Sequence, residues 1–149
     1  MSPEPGVSVY VRGTKVYVAP QFGGSGLRVD MEPVITATTE EHDLASALQT
    51  ALTAAASLGP AHPIPNLRTY RSPVLATAGF TSAKQFETGL KYSTVHKSPE
   101  GFRIQRYQPA PHGQGFEAKE PPVVLSGTVT MDDLAKLILK SLYASSEDV

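Results

Sequence analysis

The side chains best suited to chemistry in this chain are four histidines, two adjacent carboxylate pairs, and whatever the glycine-rich stretches QFGGSG and PHGQGF could hold. His42, His62, His96 and His112 are widely separated, and none stands three or four residues from another in a zinc-binding signature. Glu40 with Glu41, and Asp132 with Asp133, open two predicted helices, where capping and the helix dipole account for acidic residues without a catalytic role. Neither glycine-rich stretch has a P-loop lysine or a complete glycine fingerprint between a strand and a helix, so both read as connections. No serine sits in a nucleophile-elbow sequence. These residue types and spacings predict no catalytic residues, no metal site and no cofactor, and hence no enzyme.

The elements around these residues follow from hydrophobic periodicity. Val7, Val9 and Val11 alternate with Ser8 and Tyr10, and Val16 and Val18 flank Tyr17, with the glycine of RGTK between the two runs. This is a β-hairpin pattern that turns Tyr10 and Tyr17 away from the valines. Leu27, Val29 and Met31 alternate with Arg28, Asp30 and Glu32, which predicts a third strand with one wet face. After Pro33 the spacing becomes helical, with Leu44, Ala47, Leu48, Ala51, Leu52 and Ala55 on one stripe. Thr38 with Glu41 has the form of a capping box, and Gly59 with Pro60 supplies the stop.

Ninety residues later the order recurs. KYSTVHK and GFRIQRYQ surround the turn SPEG, a loop PAPHGQG follows, then Phe116 and PPVVLSGTV, then a helix with Leu134, Leu137, Ile138, Ser141 and Leu142. DLASALQTAL and DLAKLILKSL share their first three residues and their apolar spacing, and the same shift places Tyr107 on Tyr17. The expected fold is α+β, a mainly antiparallel sheet with helices packed on it. It is built from two degenerate strand-strand-strand-helix repeats, at about 7–59 and 90–145, joined by a short helical insert at about 60–89. Within the insert, Ser72 and Pro73 open a short helix ending at Gly79, and a second is expected from Thr81 or Ser82 to Gly89. Leu75, Phe80 and Phe86 are expected to join the main core.

Composition bounds the rest. With 149 residues and 40% hydrophobic side chains, the chain has the size of one domain. It lacks cysteine, which excludes disulfides and thiolate metal sites. MSPEPGVSVYV has neither the basic opening nor the apolar run of a signal peptide, and no stretch approaches the roughly 18 apolar residues of a membrane span, so a cytoplasmic protein with no membrane partner is expected. The net charge of −1 is unevenly spread: residues 1–60 carry −3, residues 61–110 carry +5, and the remainder carries −3. The basic middle interleaves aromatics, with Tyr70 between Arg68 and Arg71, and Tyr107 beside Arg106. Single-stranded nucleic acid is held by such a combination, which makes a nucleic-acid-binding module using 61–110 the alternative reading. The pI of 6.4 and the acidic flanks weigh against it.

The stretches VYVAPQF, VDMEPV, EEHDLASALQTAL, SPVLATAGFTSAKQFE and EPPVVLSGTVTMDDLAKLILKSL cover most of the chain and resemble, in order and texture, the immunity proteins of bacterial contact-dependent growth inhibition systems. Ala45 and Ala135 depart from that pattern, in which a glycine is common at these helix positions. The resemblance implies a small cytoplasmic protein that binds the C-terminal toxin domain of a cognate effector, often a nuclease, and blocks it. It carries no interface residues, because members recognise different toxins. A nuclease binds its substrate through a basic surface, so an acidic inhibitor surface would steer association. The candidate partner-binding residues are therefore Asp30, Glu32, Glu40, Glu41 and Asp43 on one acidic rim, with Tyr10, Tyr17 and Phe22 as aromatic anchors. Oligomeric state and strand order stay open at this level.

Overall fold

The computed structural model describes residues 6–24, 27–31, 34–58, 73–79, 91–98, 101–109, 116–118 and 123–147. They form an antiparallel sheet of eight strands with two long helices on one face. The strands are β1 Gly6–Arg12, β2 Lys15–Gly24, β3 Leu27–Asp30, β4 Ile35–Thr38, β5 Lys91–Ser98, β6 Gly101–Pro109, β7 Phe116–Ala118 and β8 Val123–Ser126. The helices are α1 Glu41–Leu58, a short α2 Pro73–Ala78, and α3 Met131–Glu147. The main path runs β3-β2-β1-β5-β6-β7, with β4 also on β2 and β8 also on β6. The fold is α+β, as the periodicity indicates. Among the described residues, no helix is long and apolar enough to cross a membrane.

Period-two alternation on β1 decides which residues meet. Val7, Val9 and Val11 face the helices together with Val16, Val18, Val95, Phe102 and Ile104. Against them lie Leu44, Leu48, Leu52 and the alanines between them on α1, and Leu134, Ala135, Ile138 and Leu139 on α3. Each fully buried leucine contributes roughly 2 kcal/mol of transfer free energy, so this layer is the main source of stability. Ala45 and Ala135 are both buried there. On α1 the buried face is the predicted stripe with Ala45 added, and on α3 Leu134 and Ile138 are buried as predicted, Leu137 is partly buried, and Ala135 and Leu139 join them.

The two halves use one pairing scheme. Lys15–Val18 of β2 pair with β4 and Gln21–Gly24 with β3, so both short strands share the outer edge of β2. In the second half, Gly101–Ile104 of β6 pair with β8 and Tyr107–Pro109 with β7. Each half therefore has four strands before its helix, one more than the three expected. The sequence conceals β4 because Ile35–Thr38 is only four residues long and runs directly into the helical pattern.

Arg12 faces Lys15 at one hairpin and Ser98 faces Gly101 at the other, so equivalent hairpin positions lie 86 residues apart, against 90 for the helices. Tyr107 consequently does not occupy the place of Tyr17. Instead the register aligns Tyr17, Tyr10, Tyr92 and Tyr107 in one row across four strands.

The helix starts also differ from expectation. The carboxylate of Glu40 accepts the N–H of His42 at 3.0 Å and of Asp43 at 2.8 Å, while Asp43 accepts both the N–H and the hydroxyl of Thr38 at 2.7 and 3.0 Å. Glu40 is thus the cap of α1, and Thr38 is tied by Asp43 rather than by Glu41. At α3 the Thr130 hydroxyl accepts the Asp133 N–H at 3.1 Å.

In the insert, α2 forms as expected, but Val74 and Leu75 pack with Tyr17 and Ala19 on the sheet face opposite the long helices, forming a second cluster rather than joining the main core. Phe80, Phe86 and the second short helix lie outside the described residues.

Gly101 makes the strictest backbone demand, with φ of +146° and no room for a side chain, since an added Cβ would run into the Leu125 carbonyl of β8. Gly101→Ala is expected to lower unfolding free energy by at least about 2 kcal/mol, measured by urea denaturation, and to speed amide exchange across the β6–β8 pairing.

Candidate functional site

The residues between the valines converge on the sheet face away from α1 and α3. Ser8 and Tyr10 of β1, Gln21 of β2, Asp30 of β3, and Tyr92, Thr94 and His96 of β5 come together there through the β1–β2, β1–β5 and β2–β3 registers. Asp30 is the centre. Its Oδ1 accepts the Ser8 hydroxyl and its Oδ2 the Tyr10 hydroxyl, each at 2.5 Å. Gln21 Nε2 donates to Ser8 Oγ at 2.7 Å, and His96 Nε2 lies 3.1 Å from Gln21 Oε1. With the proton on Nε2, donation runs in one direction from His96 through Gln21 and Ser8 to Asp30. Gly6 makes this possible, because a Cβ at that position would strike the His96 ring.

Burial governs the electrostatics. Ser8 and Thr94 are buried, and Gln21 is only 8% exposed. Burial raises the Asp30 pKa above the usual aspartate range, outweighing the Ser8 and Tyr10 hydroxyls that pull it down. Burial likewise raises Tyr10 and Tyr92 well above the ordinary tyrosine value, and the charge of Asp30 adds to both shifts. Tyr10 and Tyr92 stack with ring centroids 4.6 Å apart, and Tyr92 and Tyr107 at 4.9 Å. A carboxylic acid with a raised pKa has the character of a general acid or base. Here the bonds of Asp30 to Ser8 and Tyr10 point into the sheet, so they tie β3 to β1. Among the described residues, no three His, Asp or Glu side chains converge as a metal site requires.

A second constellation lies at the starts of α1 and α3. Glu40, Glu41, His42, Asp43, Asp132 and Asp133 are all exposed. His42 Nδ1 approaches Asp132 Oδ1 at 3.3 Å, which places the two helix N-termini side by side. Two positive dipole ends and five carboxylates thus share one end of the molecule. At this exposure the His42–Asp132 pair adds little stability.

Comparison with known proteins adds the fold's relatives. No family model and no curated protein sequence matches this chain. Among solved structures, a Neisseria meningitidis protein of unknown function superimposes with a TM-score of 0.65 at 11% identity, covering 92% of this chain and 93% of that one. A chain of the CdiA-CT/CdiI toxin and immunity complex from Yersinia pseudotuberculosis superimposes with a TM-score of 0.58 at 12% identity, covering 93% and 95%. The fold recurs in a toxin–immunity complex. At these identities the likeness is one of fold.

The structure divides the candidate partner-binding residues between the two constellations. Asp30 and Tyr10 are half-buried members of the polar cluster, and Tyr17, 5% exposed, packs beneath α2. Glu40, Glu41 and Asp43 stand together at the helix end. Phe22 falls in β2 opposite Val29, and Glu32 lies outside the described residues. The wet face expected for Asp30 is, at its centre, a polar cluster in which Ser8 and Gln21 are buried and Asp30, Tyr10 and Tyr92 are half-buried. Sequence reasoning did not identify Ser8, Gln21, Tyr92 and His96 as Asp30's neighbours. Ser8 could have been found, since alternation puts it on the same face as Tyr10.

Because the folded pKa of Asp30 is raised, the native state takes up a proton before the unfolded chain does as pH falls. Its contribution is most favourable below the ordinary aspartate value of about 3.9 and is lost as pH rises through the higher folded value. Urea midpoints measured across this window should show wild type gaining on Asp30→Asn with acidification. A pH-independent difference would show that burial does not control this carboxylate.

Proposed function

We propose that this chain is an immunity protein of a contact-dependent growth inhibition system, which binds the toxin domain of a cognate effector and neutralises it by covering its active or substrate-binding surface. The observation that carries the reading is the match, over more than nine-tenths of both chains, to a member of a toxin–immunity complex. The sequence resemblance to immunity proteins points to the inhibitor side of such a pair. We take the toxin to be a nuclease. A nuclease surface is basic where it grips nucleic acid, and the exposed Glu40, Glu41, Asp43, Asp132 and Asp133 offer the opposite charge at one end of this molecule.

Inhibition in this reading needs no chemistry from the chain itself. A sheet and two helices packed through one apolar core present a preformed surface, which limits the conformational entropy lost on binding. The acidic end accelerates encounter, and close packing elsewhere sets the residence time.

Cells producing the toxin domain encoded beside this chain should grow only when this chain is co-produced, and calorimetry on the purified pair should give a nanomolar dissociation constant, about −12 kcal/mol. Toxicity of this chain expressed alone would instead place it on the toxin side. Salt-sensitive binding of single-stranded oligonucleotides, lost on neutralising Arg68, Arg71 and Arg106, would favour the nucleic-acid reading.

Reversing charge at Glu41, Asp132 and Asp133 together, which leaves the Glu40 and Asp43 caps intact, should slow association about tenfold at low salt and change dissociation little. An unchanged association rate would remove the acidic end from the interface.

A further inference from the structure

From Leu44 to Leu58, fifteen consecutive residues of α1 carry no Asp, Glu, Lys, Arg or His. Half of that stretch is buried on the sheet, but Ser46, Gln49, Thr50, Thr53, Ala56 and Ser57 are exposed on one helix face about 18 Å long. Solvated helix faces ordinarily carry lysine and glutamate, which also favour the helix more than serine or threonine does. The molecule contains its own control. α3 packs on the same sheet and begins with the same DLA, and at the positions 90 residues beyond Ser46 and Thr50 it exposes Lys136 and Lys140. α1 therefore gives up both helix propensity and solubilising charge where α3 keeps them, a local rule broken without gain to the fold.

Three of the four hydroxyls on this face are already bonded. Thr50 donates to the Ser46 carbonyl at 3.0 Å, Thr53 to that of Gln49 at 2.9 Å, and Ser57 to that of Ala54 at 2.8 Å, while Gln49 Nε2 donates to Thr53 Oγ1 at 3.3 Å. A partner can cover these three hydroxyls without stranding them and covers no charge, and depletion of charge marks the centre of a protein interface. At its N-terminal end the face continues to His42, which approaches Asp132 at 3.3 Å, so the occupant is basic there and uncharged along the rest of the helix.

We infer that the exposed face of α1 is the centre of the protein-binding surface, and that its occupant is the cognate toxin domain, seated with a basic edge over the acidic end of the two helices. This rests on the immunity reading and assigns its contact surface.

The test transplants the pattern of α3 onto α1. Ser46→Lys with Thr50→Lys, and separately Thr53→Arg, should fold with unfolding temperatures equal to or above wild type, because the positions are exposed and the new residues favour the helix. Against the toxin domain encoded beside this chain, each variant should bind at least about 30-fold more weakly, and protection of co-producing cells should fall accordingly. In the unaltered protein, backbone amide resonances of residues 46–57 should shift on complex formation. Binding within about twofold of wild type, together with unmoved resonances, would overturn the assignment while leaving the immunity reading intact. Absence of binding and protection by the wild-type protein would overturn both.

Discussion

Strand β1 is the constraint on which the molecule depends. It pairs with β2 on one side and β5 on the other, and so joins the two halves of the sheet. Its alternation has to satisfy two different interiors at once. Val7, Val9 and Val11 complete the apolar layer under α1 and α3, while Ser8 and Tyr10 enter a polar layer on the opposite face. A one-residue slip would exchange these sets, placing hydroxyls against leucines and valines against Asp30. Because each error would strand buried groups, the two layers fix the register together.

The two layers differ in how they confer stability. The apolar layer gains from area removed from water and imposes no preferred direction. The polar layer gains little net energy, since Asp30 loses hydration that Ser8 and Tyr10 only partly replace, as the raised pKa records. What it provides is position: the carboxylate at the end of β3 is tied to the central strand, and Gln21 and His96 extend the tie to β2 and β5. The stacked tyrosines add aromatic packing along the same row.

Patterns that repeat within a single element are legible in the sequence. The valine alternation of β1 and β2 and the leucine stripes of both long helices are complete within short windows, and each element forms where its period indicates. Contacts set by long-range register are not legible in this way. The neighbours of Asp30 come from positions 8, 10, 21, 92 and 96, and only the antiparallel pairing of β1 with β5 brings the last two beside the first three. Strands as short as β4 and β7 hold too few residues for a period to emerge, and their place depends on the edge that receives them. The acidic groups at the starts of the two helices stand out in the sequence as separate clusters. Their meeting does not, because it requires α1 and α3 to lie side by side with the same polarity.

The divided outer strands have a consequence for the protein's behaviour at high concentration. A sheet that ends in a long straight strand offers neighbouring copies a template for further pairing, and aggregation follows that route. Here the outer edges of β2 and β6 are each taken by two strands of three or four residues, so no described edge strand extends further than that. Even at β8, where Val123 and Val124 are 45% and 65% exposed, the apolar edge is only four residues long. Interrupting both margins keeps the sheet finite and resists its growth into filaments, without a charged residue in β8 itself.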